Sequence, residues 1–214
     1  MSQPAPTVRP RSIVYVDGFN LYYRALKPLS QQWLDLQAYF VRLRKDDEVR
    51  RIYYFTAELT GAKRAGHLAY LEALTTCPLV TIIAGKYQTQ YLDCEVTACT
   101  YSGERRFFQF KEKRTDVNIA VQMLGDAYED ECDLHVLISG DTDLVPAVEK
   151  VRDRGKRVIV YVPNRDEDSY DAASELRHAA NMARNLPLKT LDRAQFPDQI
   201  PDGKGGFIQK SAAW

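Results

Sequence analysis

Apolar positions along the chain come in two spacings that alternate. "SIVYVD" (12–17) is a short, nearly continuous apolar run of the kind a buried strand carries, and "GFNLYYRAL" (18–26) then shifts to helical spacing. The same reading gives an amphipathic helix at "LDLQAYFVRL" (34–43), a strand at "VRRIYYFTA" (49–57), a helix at "AKRAGHLAYLEALTT" (62–76) and a strand at "LVTIIAGKYQ" (79–88). In "YLDCEVTACTYSGERRFFQFKEK" (91–113), β-prone residues flank a Ser-Gly turn, the pattern of an exposed hairpin. The chain then reads helix in "TDVNIAVQMLGDAYED", strand in "LHVLIS", helix in "TDLVPAVEKVRDRG", strand in "RVIVYVP" and a last helix in "SYDAASELRHAANMA".

Strands that are apolar on both faces and have helices before and after them imply an α/β fold whose mostly parallel sheet is covered on both sides. Residues 1–11 hold prolines without periodicity and read as an extension, 12–192 as one domain with the hairpin excursion at 91–113, and 193–214 as a tail. The tail is rich in Pro and Gly, yet Phe207, Ile208 and Trp214 give it groups with which to dock. In parallel sheets of this kind, ligands bind beyond the carboxyl ends of the strands, where the strand order reverses.

Composition narrows the classes of partner. The chain has 214 residues, 45% hydrophobic, enough for a substantial core. Lys plus Arg and Asp plus Glu number 29 each, so no net field draws the whole molecule to a polyanion and any such contact has to be local. The N-terminus lacks the apolar segment of a secretory signal, and no run approaches the ~18–20 apolar residues of a membrane span. The expectation is a soluble, cytoplasmic protein, not bound to a membrane, with Cys77, Cys94, Cys99 and Cys132 reduced.

At the predicted carboxyl ends of the strands the chain places acids. Asp17 ends the first strand, Asp141 and Asp143 follow "LHVLIS", and Asp116 opens the helix after the hairpin. One Asp at such a junction is explained by N-capping: Thr115 or Asp116 suits one helix, Thr142 or Asp141 the next. Four converging carboxylates are not so explained, because they repel one another and stay ionised together only if a cation neutralises them. Oxygen ligands select Mg²⁺ or Mn²⁺ over Zn²⁺. Other acidic strand-end sites fit less well. A haloacid-dehalogenase-like phosphatase wants an Asp where Phe19 stands, a toprim domain wants Glu after its first strand, and a receiver domain has no place for the hairpin.

Three segments, "YVDGFNLYY", "KEKRTDVNIAVQML" and "LISGDTDLVPAVEKVRDRGKRVIVY", resemble in the same order the NYN domain, a branch of the PIN-like and flap-nuclease-like metal-dependent ribonucleases. The likeness spans roughly 12–183. It implies a PIN-like three-layer α/β/α fold and a Mg²⁺- or Mn²⁺-dependent nuclease acting on single-stranded or structured RNA. By motif it assigns Asp17, Asp116, Asp141 and Asp143 as the metal-holding and catalytic acids, with Asn20, Ser139 and Thr142 in support. Phosphodiester hydrolysis would then follow from one or two ions that activate water and stabilise charge on the phosphate. With all four acids present, an active nuclease is favoured over a non-catalytic RNA-binding or regulatory protein that keeps the pocket for a structural cation, and the long basic hairpin argues against an enzyme on a small phosphorylated molecule. Relatives often carry paired cysteines in the hairpin; here Cys94 and Cys99 have no second close pair, so a zinc site there is not expected.

"ERRFFQFKEKRTD" sets Arg105, Arg106, Lys111, Lys113 and Arg114 beside Phe107, Phe108 and Phe110, a mixture that suits phosphate contacts and base stacking but equally a solvated strand face over core phenylalanines. Lys113 also matches the family motif and is the favoured basic residue. Lys63, Arg64 and His67 read as a solvated helix start. Of Tyr22 and Tyr23, one packs and the other is free to reach the cleft, and PIN-like relatives often pair, which leaves a homodimer open.

Overall fold

A computed structural model describes residues 8–57, 64–164 and 173–211. Lys63 and Trp214 lie outside the described residues, as do the side chains of Gln109, Phe110 and Lys111. The elements are β1 (Arg11–Asp17), α1 (Gly18–Leu21), α2 (Leu36–Leu43), β2 (Glu48–Thr56), α3 (Arg64–Thr75), β3 (Val80–Ala84), β4 (Lys86–Asp93) and β5 (Arg106–Lys113). They continue with α4 (Thr115–Tyr128), β6 (Leu134–Ile138), α5 (Val145–Asp153), β7 (Arg157–Val162), α6 (Ser174–Ala179), β8 (Met182–Asn185), β9 (Gln199–Pro201) and β10 (Phe207–Gln209). The helix that begins at α1 runs on through a π turn, Tyr22–Leu26, and a 3₁₀ turn, Lys27–Leu29.

Six strands form one parallel sheet in the order β3-β2-β1-β6-β7-β8. Period-2 alternation explains why its central strands are apolar throughout. Val14 and Val16 of β1, with Ile52 and Tyr54 of β2, enter the core shared with Leu21, Trp33 and Phe40. Ile13 and Tyr15, with Tyr53 and Phe55, enter the opposite core with Ile119 and Met123 of α4 and Val148 of α5. The chain builds outward from β1 to β2 and β3, then returns to β1's other side for β6, β7 and β8. The switch point therefore lies between the carboxyl ends of β1 and β6.

Two sequence expectations are corrected. The run 79–88 is not one strand: β3 ends at Ala84, and after Gly85 the chain leaves the sheet as β4, which pairs antiparallel with β5 in a separate two-stranded arm. The last helix is confined within the described residues to Ser174–Ala179, and the chain then forms β8. There the Asn181 amide nitrogen donates to Val158 O at 3.0 Å and Asn181 Oδ1 accepts from Val158 N at 2.8 Å. Pairing with the open edge of β7 outweighs the helical preference of "HAANMA".

Beyond β8, a 3₁₀ segment, Leu188–Ala194, leads to the short antiparallel pair β9 and β10. Phe196, Ile200 and Ile208 are buried in the core that holds Trp33, whose Nε1 donates to Pro197 O at 2.8 Å. Among the described residues no helix is long and apolar enough to cross a membrane.

His135 on β6 is fully buried, its ring stacked on Tyr15 at 5.5 Å between centroids. Burial, reinforced by the Lys156 charge, lowers its pKa from 6.5 to about 4. Unfolding at acid pH therefore takes up a proton that the folded protein refuses, so this contribution to stability is intact above 6.5 and is lost as pH falls toward 4. Urea denaturation at pH 7 and pH 4.5 should show the wild type losing about 2–3 kcal/mol relative to His135→Phe between the two conditions.

Candidate active site

Asp17 closes β1 at the switch point, and its carboxylate caps the helix that follows: Oδ1 accepts from Asn20 N at 2.9 Å. A tight exit is required here, since a β-carbon on Gly18 would sit 2.5 Å from the Phe55 carbonyl oxygen. From the neighbouring strand end, Ser139 Oγ donates to Asp17 Oδ2 at 2.8 Å and accepts from Asp141 N at 3.0 Å. Asn20 Oδ1 accepts from Gly140 N at 3.1 Å. Asn20 and Ser139 thus lock the β1 and β6 ends together. Asp141 caps the 3₁₀ turn Thr142–Leu144 through Asp143 N at 3.0 Å, which settles the choice left open between Asp141 and Thr142. Thr142 is exposed, and no hydrogen bond of its hydroxyl is found among the described residues.

Asp116 is brought to the same rim from the first turn of α4. Neither it nor Thr115 is the cap. The Glu112 carboxylate accepts from Thr115 N at 3.0 Å and from the Thr115 hydroxyl, while Arg114 takes the N-cap position in a left-handed conformation, φ 81°. Glu112 is therefore a fifth acid at the site that sequence reasoning missed; its place on a strand beside basic residues gave no sign of it.

The five carboxylates act on one another. Burial pushes the Asp17 carboxyl up to about 6, its two hydrogen bonds oppose the rise, and repulsion from Asp141 and Glu112 adds to it. Half-buried Asp116 is also raised to about 6, by burial first and then by Asp141, Asp17, Glu112 and Asp143. The set is oxygen-only and strongly repulsive, which is the chemistry that a hard divalent cation relieves. Two of its members stand ionised at neutral pH only at a cost. As the side chains stand, no three His, Cys, Asp or Glu residues among those described are placed to hold one ion. The fit is one of donor type and charge.

Basic and aromatic groups divide into near and far. Lys113 and Arg114 are exposed immediately before α4, and Lys113 lies opposite Lys86 in the β4–β5 ladder. The Arg24 guanidinium lies 3.6 Å from where a β-carbon on Gly140 would sit, a neighbour of the rim that sequence spacing did not reveal. Arg105 and Arg106 are not brought to the acids. Arg106 lies seven residues up β5, about 24 Å from Lys113, stacks on Tyr91 at 4.7 Å and pairs with Asp93 at 3.8 Å. The Arg105 guanidinium donates to Cys99 O at 2.9 Å. Lys111 pairs with Gln88 through the ladder, its side chain being outside the described set. Of the tyrosine pair, Tyr22 is buried and Tyr23 half-exposed; Tyr23 stacks on Phe19 at 6.2 Å, and Phe19 meets Tyr87 of the arm edge-on at 6.0 Å. An aromatic surface thus adjoins Asp17.

A parallel α/β sheet with acids gathered at its switch point defines a PIN-like, nuclease-like domain. The NYN domain matches residues 11–186, and the chain belongs to that family. It is 25% identical over 226 aligned positions, 91% of this chain and 72% of the relative, to 6-hydroxy-3-succinoylpyridine 3-monooxygenase HspA of Pseudomonas putida (strain DSM 28022 / S16). Its fold is also similar to a crystal structure of a protein of unknown function from Vibrio parahaemolyticus RIMD 2210633, with TM-score 0.53 and 17% identity over 92% of this chain and 100% of that one.

The raised Asp17 pKa has a consequence for stability. An acid pushed from 3.8 to about 6 makes the folded state bind its proton more tightly than the unfolded state, so its charge is a burden above pH 6 that is relieved as pH falls toward 3.8. In chelator-treated protein at pH 8, Asp17→Asn should raise stability by about 2–3 kcal/mol in a denaturation curve, and the gain should vanish near pH 4.

Proposed function

We propose that this protein is a Mg²⁺- or Mn²⁺-dependent ribonuclease that hydrolyses RNA phosphodiester bonds at the rim formed by Asp17, Asp116, Asp141 and Asp143. The observation that carries the reading is the mutual repulsion of these acids with Glu112, held there by four separate elements: β1, β5, α4 and the turn after β6 that carries both Asp141 and Asp143. Asp17 and Asp141 would hold the ion directly. Asp116 and Asp143 would hold a second ion or act through water, and Glu112 joins them from the base of the arm. When bound, the ion supplies an activated water and stabilises charge on the phosphate and the leaving oxygen.

The remaining work falls to the chain's own groups. Ser139 and Asn20 fix the carboxylate of Asp17 and the backbone at Gly140 before substrate arrives. Lys113, Arg114, Lys86 and Arg24 flank the acids and neutralise phosphates on either side of the scissile one. Phe19, Tyr23 and Tyr87 offer ring faces on which unpaired bases stack, which favours single-stranded stretches of RNA. The β4–β5 arm, with Phe107, Phe108 and Tyr91 exposed beside Arg106, extends the contact along a longer strand. A cytoplasmic location supplies such substrates.

The alignment with the P. putida monooxygenase over 91% of this chain favours one second reading, oxidation of a small hydroxylated heteroaromatic ring. The nuclease reading is preferred because the groups gathered at the rim are acids flanked by cations, the set that phosphoryl chemistry uses.

Cleavage of a labelled single-stranded RNA with Mn²⁺ separates the readings. Wild type should cut it, EDTA should stop it, and Asp17→Asn and Asp141→Asn should each lower the rate by roughly 10²-fold or more. Glu112→Gln, which keeps an oxygen for Thr115, should reduce the rate less. Equal residual cleavage in wild type and all three variants refutes the nuclease; binding of RNA without cleavage indicates a regulatory RNA-binding protein.

A further inference from the structure

The helix α4 is apolar on the side it turns to the core and again on the side it turns away. From Val117 to Gly125 it holds no charged residue. Its inner face is used: Ile119, Met123 and Ala127 are buried against the sheet, and the polar Gln122 is turned inward, its amide donating to Tyr53 OH at 3.1 Å and to Asp126 Oδ1 at 3.0 Å. With ~100° of rotation per residue, the opposite face carries Val117, Val121, Leu124, Gly125 and Tyr128. Val117, Val121 and Tyr128 are 64%, 65% and 62% exposed, the Tyr128 ring even with the Arg154 guanidinium stacked on it at 4.3 Å. A helix that is apolar on both faces belongs in an interior. The outer positions follow one another at steps of four, three and four, the spacing of a helix–helix seam.

Gly125 is a second, independent observation. Glycine weakens a helix relative to alanine, and this chain's own packing does not ask for one: beyond the adjoining helix backbone, nothing among the described residues lies within 4 Å of where a β-carbon on Gly125 would sit. A bare stretch of backbone on the outer face suits a surface that approaches closely from outside. The two ends of the helix also differ in charge. Lys113 and Arg114 precede it and Glu129 and Glu131 follow it, all four exposed and in no ion pair found among the described residues.

We propose that two copies of this chain pair antiparallel through the outer faces of α4, about a two-fold axis that passes between Val121 and Leu124. In that arrangement Val121 of each copy packs on Leu124 of the other and Val117 on Tyr128. Ala120 meets Gly125, and these small residues let the helix axes approach toward the lower end of the usual ~8–10 Å. The occupant is a second copy because the stripe is its own complement, as a two-fold interface requires, and because antiparallel pairing sets Lys113 and Arg114 of each copy beside Glu129 and Glu131 of the other. A parallel pair would bring like charges together at both ends. Since Asp116 lies in the first turn of α4, the two acidic rims open at opposite ends of the dimer, about 20 Å apart along the helix axes. The pairing does not depend on the chemistry performed at those rims.

Sedimentation of the full chain over a range of concentrations tests the interface. Wild type should convert from monomer to dimer as concentration rises through the micromolar range. Val121→Glu, which sets a charge at the centre of the seam, and Gly125→Leu, which meets open space in its own chain but a partner's backbone in the dimer, should each weaken pairing at least tenfold. In dilute solution, where only monomer is present, both should keep the circular dichroism and at least the thermal midpoint of the wild type, which separates lost pairing from lost folding. Lys113→Glu and Glu129→Lys should each weaken the dimer and together restore it. A wild type that stays monomeric into the high-micromolar range, or a dimer that Val121→Glu and Gly125→Leu leave intact, overturns the interface. A double charge variant that pairs no more tightly than either single overturns the antiparallel arrangement.

Discussion

Repulsion among carboxylates held at one sheet edge is the constraint around which the rest of this molecule is arranged. Asp17 is almost fully buried, and the surroundings that bury it raise its pKa to about 6. The fold offsets that burden locally. Asp17 and Asp141 cap the helical turns that follow them, so each returns hydrogen bonds to backbone groups that would otherwise lack partners. Ser139 and Asn20 tie the two strand ends together, and Glu112 does for α4 what Asp17 does for α1. Capping and metal-holding are not alternatives here: the bonds that keep the acids in place leave lone pairs on the same carboxylates.

The sheet order turns these local choices into a site. Because β1 lies between β2 and β6, and the chain reaches β6 only after the excursion through β4 and β5, the first acid and the last pair meet across one crevice. The arm's second strand then delivers Glu112, Lys113, Arg114 and Asp116 in succession to the same place. Lys113 and Arg114 stand in the chain between Glu112 and Asp116, so a chain of zero net charge still sets cations beside its acids at this edge.

Much of this was legible in the sequence because it depends on short-range pattern. Apolar runs ending in Asp17 and in Ser139-Gly140-Asp141 announce parallel strands and the edge on which their acids fall. What was not legible depends on contacts between distant segments. β8 reads as helix because "HAANMA" has helical preference, and only the open edge of β7 makes it a strand. Gly85 divides one apolar run between two sheets. Glu112 looked like one more charge on a strand face until the turn at Arg114 brought it back against Thr115. Arg105 and Arg106, close to Asp116 in sequence, are carried away from it because an extended strand covers distance quickly.

Calorimetric titration of Mn²⁺ into the chelator-treated protein at pH 6, in two buffers of different ionisation enthalpy, tests the acidic rim most directly. Since Asp17 and Asp116 are raised to about 6, each is about half protonated there, and an ion bound among them should expel protons as it binds. The predicted result is saturable binding with proton release that shrinks at pH 8 and disappears with Asp17→Asn. Absence of binding, or binding without proton release that Asp17→Asn and Asp141→Asn leave unchanged, would contradict it.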